Sequence, residues 1–216
     1  MSSPPATPED PAPDSTASDA SAIARLFARG SWPETATSPM IPPRPESLSP
    51  RAREIVAAAR ELVEDEGCEG LSMRRLADRL GIRAPSLYKH LPDKQALENA
   101  LISSTFEEQA ELFEAALVDT DDPIGALGTA YRDFARRHPH LYRLMTERPL
   151  DREHLTAGAE QRAARPIVQA LGGDLDLARA AWAFAHGMTI LELNERFPPG
   201  ADLDAAWKRG LDAFRP

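Results

Sequence analysis

The chain has 216 residues, 42% of them hydrophobic, with 25 basic side chains against 34 acidic ones and a formal net charge of −9. That length suffices for one large or two small domains with a sizeable core. A single cysteine, Cys68, rules out an internal disulfide framework and suits a reducing cytosol. No run of about 18 apolar residues is present to span a membrane, and the opening MSSPPATPED lacks the basic and apolar regions of a secretory signal. Abundant alanine, scarce strand-like alternation and prolines placed at helix edges make the class all-α.

Residues 1–48 carry the densest Pro, Ser, Thr and Ala without sustained apolar periodicity. Such a segment buries too little apolar surface to offset its ordering entropy, so it reads as a disordered tail. Ala20 to Arg29 supports a turn or two of helix through Ile23, Leu26 and Phe27. An arm into a minor groove would have only the thinly spread Arg25, Arg29 and Arg44. Nothing before Met40 is needed for a core, and Met40 is a candidate alternative translation start. Ser49-Pro50 then opens the first core helix, with serine as cap and proline at the first helical position. Ile55, Ala59, Leu62 and Val63 form its buried stripe, and Gly67 ends it. Cys68, in the Gly67–Gly70 connection, reads as a small buried hydrophobe ahead of a redox group.

The stretch from Ser72 to Leu97, SMRRLADRLGIRAPSLYKHLPDKQAL, organises the rest. Met73, Leu76, Ala77 and Leu80 recur at helical spacing. Gly81 supplies the left-handed exit from that helix, Ile82 plugs the corner, and Ala84-Pro85 start a second helix. Leu87 and Leu91 face inward, which turns Arg83, Ser86, Lys89 and His90 outward. Two short helices around a glycine turn are the helix-turn-helix that enters a major groove. Arg74, Arg75, Arg79, Arg83, Lys89 and Lys94 oppose only Asp78 and Asp93, a local net of +4 on an acidic chain. A basic island of this kind is what phosphate contact requires.

Ser72, Leu76-Ala77, Gly81-Ile82, Tyr88-Lys89-His90-Leu91 and Lys94-Gln95-Ala96-Leu97 follow without a gap the pattern of the tetracycline-repressor (TetR) family's DNA-binding domain. The chain resembles that family over about a fifth of its length. The resemblance implies a three-helix DNA-binding domain over 49–97, a long connecting helix, and a helical regulatory and dimerisation domain over 98–216. By position, Ser72, Tyr88, His90 and Lys94 would hold phosphates, which fixes register without reading sequence. Arg74, Pro85, Ser86 and Lys89 occupy places from which base edges are reached. Ala84 offers methyl contact where some relatives place a hydrogen-bonding side chain. Arg83 replaces a frequent Ser/Thr cap and adds a base or phosphate contact.

After Asp93, Leu97, Leu101, Phe106, Phe113 and Leu117 mark the long helix, with Glu107, Glu108, Glu111 and Glu114 along its outside. Asp122-Pro123 starts another helix through Ile124, Leu127, Tyr131, Phe134 and His138. His138-Pro139-His140 breaks it, and a short helix follows through Leu141, Leu144 and Met145. A further helix is expected from Leu155 to Leu171, bent at Pro166 and stopped by Gly172-Gly173. Leu177, Ala181, Phe184, Met188 and Leu191 make one apolar face of the next helix, and Trp182, Ala185, Thr189 and Leu193 a second. Leu203, Trp207, Gly210, Leu211 and Phe214 give the final stripe. A helix apolar on two sides is covered on two sides, so the last two helices are expected to build a four-helix homodimer interface. Trp182 with His186-Gly187 also resembles the C-terminal class of the family called WHG.

Phe106, Tyr131, Phe134, Tyr142, Met145, Trp182 and His186 are candidate lining for a small-molecule effector pocket, against the reading that aromatics at helical spacing are ordinary core. His138, His140, His154 and His186 lack metal-ligand spacing. No nucleophile elbow, Ser-His-Asp order or Gly-rich phosphate loop occurs, so neither an enzyme nor a cofactor is anticipated. The expected function is a cytoplasmic, dimeric regulator, with no membrane association, that represses at a palindromic operator on double-stranded DNA and is released by a small molecule. The alternatives are a ligand-independent DNA-binding regulator and a small helical enzyme.

Overall fold

The structure is a computed structural model that describes residues 48–215. The expectations for the tail, the Ala20–Arg29 turn, the basic arm and the Met40 start lie outside these residues. Among the described residues the chain forms nine α-helices and one short 3-10 turn, with no strand.

Helix α1 (Pro50–Glu66) starts where expected: the Ser49 hydroxyl accepts from the Ala52 N–H at 3.2 Å. Its Ile55, Ala59, Leu62 and Val63 are buried. The 3-10 turn Cys68–Gly70 leads to α2 (Met73–Arg79), capped by the Ser72 hydroxyl. Gly81 then takes φ +65°, a conformation that costs an L-residue with a Cβ roughly 1–2 kcal/mol. Helix α3 (Ala84–Leu87) is a single turn, anchored by the buried Leu87 and Leu91.

Helix α4 (Lys94–Ala116) has 23 residues, capped by Asp93, whose carboxylate accepts from the Ala96 N–H at 2.7 Å. At 1.5 Å per residue it runs roughly 35 Å. Its acidic residues do not simply face water. Helix α7 (Ala159–Ala170) lies along α4. There Arg162 pairs with Glu107 and Arg165 with Glu114, while Arg60 of α1 pairs with Glu108. The buried Asn99, Ser103, Thr105 and Gln109 add polar groups to the covered side. Ser103 and Thr105 donate to carbonyls one turn back, at 2.7 and 2.8 Å, so these hydroxyls are satisfied.

Asp122 caps α5 (Pro123–Arg137), and His138-Pro139 turns the chain into α6 (Pro139–Thr146) as expected. Helix α7 corrects the sequence reading: it begins at Ala159, and residues 155–158 are not helical. Gly158 sits at φ +76° ahead of it, and the Thr156 N–H is drawn to Ser103 of α4 at 2.9 Å. Apolar spacing alone did not register that interruption. Pro166 lies inside α7, and Gly172-Gly173 follow its end.

Helices α8 (Leu175–Leu193) and α9 (Leu203–Asp212) pack on α5. A Cβ on Gly128 would collide with Leu211, and one on Gly210 with Phe184. These two glycines therefore set how closely α9 approaches. Trp207 and Leu211 are buried within their own chain. Within the chain α8 is covered on one side only: Ala178, Ala181, Ala185 and Thr189 are buried, Leu177, Phe184 and Met188 half-buried, and Leu191 is 42% exposed. One apolar core runs from Ile55 to Leu211 without a break, and the boundary anticipated at 97/98 falls within α4.

Candidate functional site

The helix-turn-helix presents its candidate residues as a surface. Arg74, Arg83, Pro85, Tyr88, Lys89 and His90 are exposed, and Ser72, Ala84 and Ser86 half-exposed. Tyr88, at 48% exposure, is among the few large hydrophobic side chains open to solvent. Arg83 sits at the cap position of α3 without a side-chain cap bond, as its replacement of Ser/Thr implied. The Ser72 oxygen accepts from the Arg75 N–H at 3.2 Å, which leaves its O–H free to donate.

Ion pairing divides the six cations of the motif. Arg75 is held by Glu66, and Arg79 by Asp65 at 2.9 Å and Glu61 at 3.2 Å. Those two carboxylates raise the Arg79 pKa further. Lys94 reaches Glu98 at 3.5 Å. Arg74, Arg83 and Lys89 form no ion pair among the described residues. The local charge available to an outside anion is thus concentrated on these three and, more weakly, on Lys94. A count of charges along the sequence could not make that distinction, because Glu61, Asp65 and Glu66 belong to the preceding helix.

In the body, four of the seven candidate pocket residues come together. Tyr131 of α5 and Tyr142 of α6 join hydroxyls at 2.9 Å, and Tyr142 reaches His186 Nδ1 of α8 at 2.7 Å. Trp182 stacks on His186 with centroids 5.6 Å apart. Burial pushes the Tyr131 phenol well up and that of Tyr142 to about 12, and it lowers His186 from its ordinary 6.5. All three are therefore neutral at pH 7. The Tyr131 and Tyr142 hydroxyls and His186 Nδ1 thus form one continuous hydrogen-bonded chain across three helices. A cavity of about 40 Å³ adjoins this chain, lined by Leu127, Gly128, Tyr131, Trp182, Ala185 and Leu211 among others. That is room for little more than one water. Phe134 packs instead against His138 at 5.2 Å, Met145 is buried in the core, and Phe106 is half-buried on α4.

Of the remaining body histidines, two serve contacts between elements and His154 one within the loop after α6. His138 meets Glu64 of α1 at 2.6 Å, His140 lies against Gly67, and His154 bonds Asp151 at 2.9 Å. Among the described residues no group of three or more His, Cys, Asp or Glu could hold a metal. Cys68 is half-buried, its thiol raised by burial and 3.4 Å from the His140 carbonyl. No helix of the described residues is long and apolar enough to cross a membrane.

Two features had no sequence signal. Arg132 of α5 joins Glu192 of α8 at 2.7 Å and Asp204 of α9 at 2.5 Å, with its guanidinium 5.7 Å from the Trp207 ring. A second, larger and polar cleft of about 220 Å³ opens between α4 and the end of α6. Both depend on residues some 50 to 70 positions apart.

Comparison with known proteins agrees with this geometry. Residues 55–101 match the bacterial regulatory protein family tetR, and residues 124–214 match the tetracyclin repressor-like C-terminal domain. The uncharacterized HTH-type transcriptional regulator Rv0681 of Mycobacterium tuberculosis is 32% identical over 161 residues, 69% of this chain and 72% of that protein. The class C tetracycline repressor of Escherichia coli is 51% identical over 47 residues, 22% of each chain. A Rhodococcus sp. RHA1 protein of unknown function superposes with a TM-score of 0.63 at 28% identity, over 80% of this chain and 96% of that one. The chain belongs to the TetR family of ligand-responsive, DNA-binding transcriptional regulators.

Proposed function

We propose that the chain is a cytoplasmic homodimer that represses transcription at a palindromic operator and is released by a small molecule, without enzymatic activity. The observation that carries this reading is the segregation of charge. On a protein of net charge −9, Arg74, Arg83 and Lys89 stand exposed on one motif and form no ion pair among the described residues. Lys89 and Arg74 read base edges in the major groove, while Ser72, Tyr88, His90 and Lys94 hold phosphates. The half-covered face of α8, with Leu191 at its exposed edge, is the dimer surface that places two heads on successive half-sites.

The effector enters the body around Tyr131, Tyr142, Trp182 and His186. A cavity of about 40 Å³ admits no drug-sized ligand, whose pockets run from about 300 Å³. Binding must therefore part α5 and α8, and the resulting displacement is what reaches the heads. The test is fluorescence anisotropy with the intergenic DNA beside the gene, against a scrambled duplex of equal length. Equal affinity for both at about 150 mM salt would refute sequence-specific regulation.

A ligand-independent regulator is the second reading, favoured by the small volume of that same cavity. The two separate on whether any compound from an effector screen weakens operator binding.

A further inference from the structure

The cavity of about 40 Å³ beside Tyr131 lies where α5, α7, α8 and α9 meet, with Leu127, Ile167, Leu171, Ala181, Ala185 and Leu211 among its walls. Among the described residues no acidic or basic side chain lines it, and Tyr131 contributes the one hydroxyl. The ion pairs of these helices are made by side chains outside the lining. Arg132 joins Glu192 and Asp204, Arg162 joins Glu107, Arg165 joins Glu114, and Lys208 joins Asp212. Burial also keeps the Tyr131 phenol protonated, so it offers a cation no phenolate. An ion entering here would give up its hydration and meet no opposite charge in the lining.

Leu211 decides how much room there is. A Cβ on Gly128 would collide with Leu211 Cδ1, so the leucine occupies the notch that this glycine leaves in α5. Gly128, Ala181 and Ala185 are small residues of the same lining. Displacing the Leu211 side chain therefore enlarges the cavity without breaking a hydrogen bond. Tyr131 is the one place where a polar atom is met. Its hydroxyl bonds that of Tyr142 at 2.9 Å, and a hydroxyl has one donor and two acceptor sites, so this bond does not exhaust it.

We propose that this seam takes a small, uncharged, largely apolar molecule that carries a single hydroxyl or carbonyl. Its polar atom meets the Tyr131 hydroxyl, and its apolar body takes the place of the Leu211 side chain against Gly128, Ala181 and Ala185. The Tyr131 and Trp182 rings in the lining favour an aromatic body. The molecule is the effector of the body proposed above, so its class rests on that proposal.

The experiment uses the full chain, first without DNA, and benzyl alcohol as probe. Benzylammonium and benzoate serve as charged controls of the same shape at matched ionic strength. Calorimetric titration should give saturable one-to-one binding of the alcohol alone, with a rise in melting temperature. Leu211→Ala, which leaves the notch empty, should tighten that binding about tenfold, as an unfilled apolar cavity takes an apolar guest. Ala185→Leu, which fills the cavity from α8, should abolish it. Benzylammonium or benzoate binding as tightly as the alcohol would overturn the proposal. So would an affinity unchanged in both variants, or no saturable binding of the alcohol to the parent chain. The comparison of alcohol and ions needs no variant, so it decides even if one of these does not fold. Operator release is read apart, by anisotropy with the intergenic duplex. Alcohol that binds without releasing the operator supports the ligand class and refutes the effector role. Release by benzylammonium or benzoate keeps an effector and overturns the class.

Discussion

Lys89 and Arg79 both lie in the recognition motif and both carry a positive charge, yet the proposed reading gives them opposite consequences for DNA binding. Each phosphate neutralised by a protein cation contributes about 0.9 to the slope of log affinity against log salt. A dimer presents two copies of every residue, so a lysine that serves only a phosphate is worth about 1.8 of slope when it is removed. A lysine that reads a guanine is instead worth about 1–3 kcal/mol at each half-site, with discrimination lost at one base-pair position. Lys89 is exposed, forms no ion pair among the described residues, and takes the second role on the proposed reading. Lys89→Ala should therefore cut operator affinity steeply and leave non-operator binding almost unchanged. Arg79 is already neutralised by Asp65 and Glu61. Arg79→Gln should leave the salt slope of the parent. Lys94 is held only at 3.5 Å by Glu98, and Lys94→Ala should flatten the slope for every sequence alike. Anisotropy titrations between 50 and 200 mM KCl, on operator and scrambled duplexes, read all three. If Arg79→Gln flattens the slope as much as Lys94→Ala, ion pairing does not decide which cations meet DNA. If Lys89→Ala weakens both duplexes equally, the base-reading role is wrong.

Leu191→Glu should turn the dimer into a monomer with a near-parental melting temperature, whereas Trp207→Glu should lower the melting temperature itself, because Trp207 is buried in its own chain. Light scattering that finds a monomeric parent at micromolar concentration would refute the assignment of α8. Burial lowers the His186 pKa below 6.5, so the unfolded chain binds a proton that the native one excludes. Stability is full above pH 6.5 and falls as the pH drops below it; His186→Gln should flatten that decline in denaturant midpoints between pH 7 and 5. Arg132→Met strands Glu192, whose side chain is 14% exposed, and should cost about 2–3 kcal/mol, below the value for a fully buried pair. Arg132→Met with Glu192→Gln should recover part of that loss in chemical denaturation, and a double variant worse than additive would show the pair is not what holds α5 to α8.

The elements readable in the sequence were those written locally. Ser49-Pro50, Asp122-Pro123 and the Ser72 cap each combine a side-chain acceptor with a nearby start signal, and all three open helices where expected. Gly81 marks the turn for the same reason. The start of α7 failed because apolar spacing from Leu155 looked helical, while the interruption depends on Ser103, more than 50 residues away. From the sequence, Trp207 and Leu211 are expected to be covered by a dimer partner, whereas the structure buries them within their own chain. The pattern of α9 shows that one face is apolar but not what covers it, and the close approach at Gly128 and Gly210 brings that face onto its own chain. The acids of α4 looked like a solvated side because Arg60, Arg162 and Arg165 are distant in sequence. Tyr131, Tyr142 and His186 are grouped from the sequence as candidate pocket lining, without a hydrogen bond among them. Their joining into one hydrogen-bonded chain required three helices to converge.

That convergence bears on how the body speaks to the heads. The long helix α4 is one connection, and α6 is another. Within its eight residues α6 carries Tyr142, in the aromatic network, and His140, whose ring lies against Gly67 and whose carbonyl faces the Cys68 thiol. At its N-terminal side His138 meets Glu64 of α1 at 2.6 Å. On the proposed reading, an effector that breaks the bond between Tyr142 and His186 would free a helix fastened to α1 at His138 and to the Gly67–Cys68 connection at His140. On that reading the heads would then be moved through α1 as well as through α4. A coupling route needs an energetic test, since contact alone does not establish one. Glu64→Gln keeps the shape of α1 and leaves the operator contacts untouched, so operator affinity without effector should stay within about twofold of the parent. The effector-induced loss of affinity should shrink, and the effect should vanish in a Tyr142→Phe background if both act through α6. An effector response of parental size in Glu64→Gln would leave α4 as the carrier of the signal.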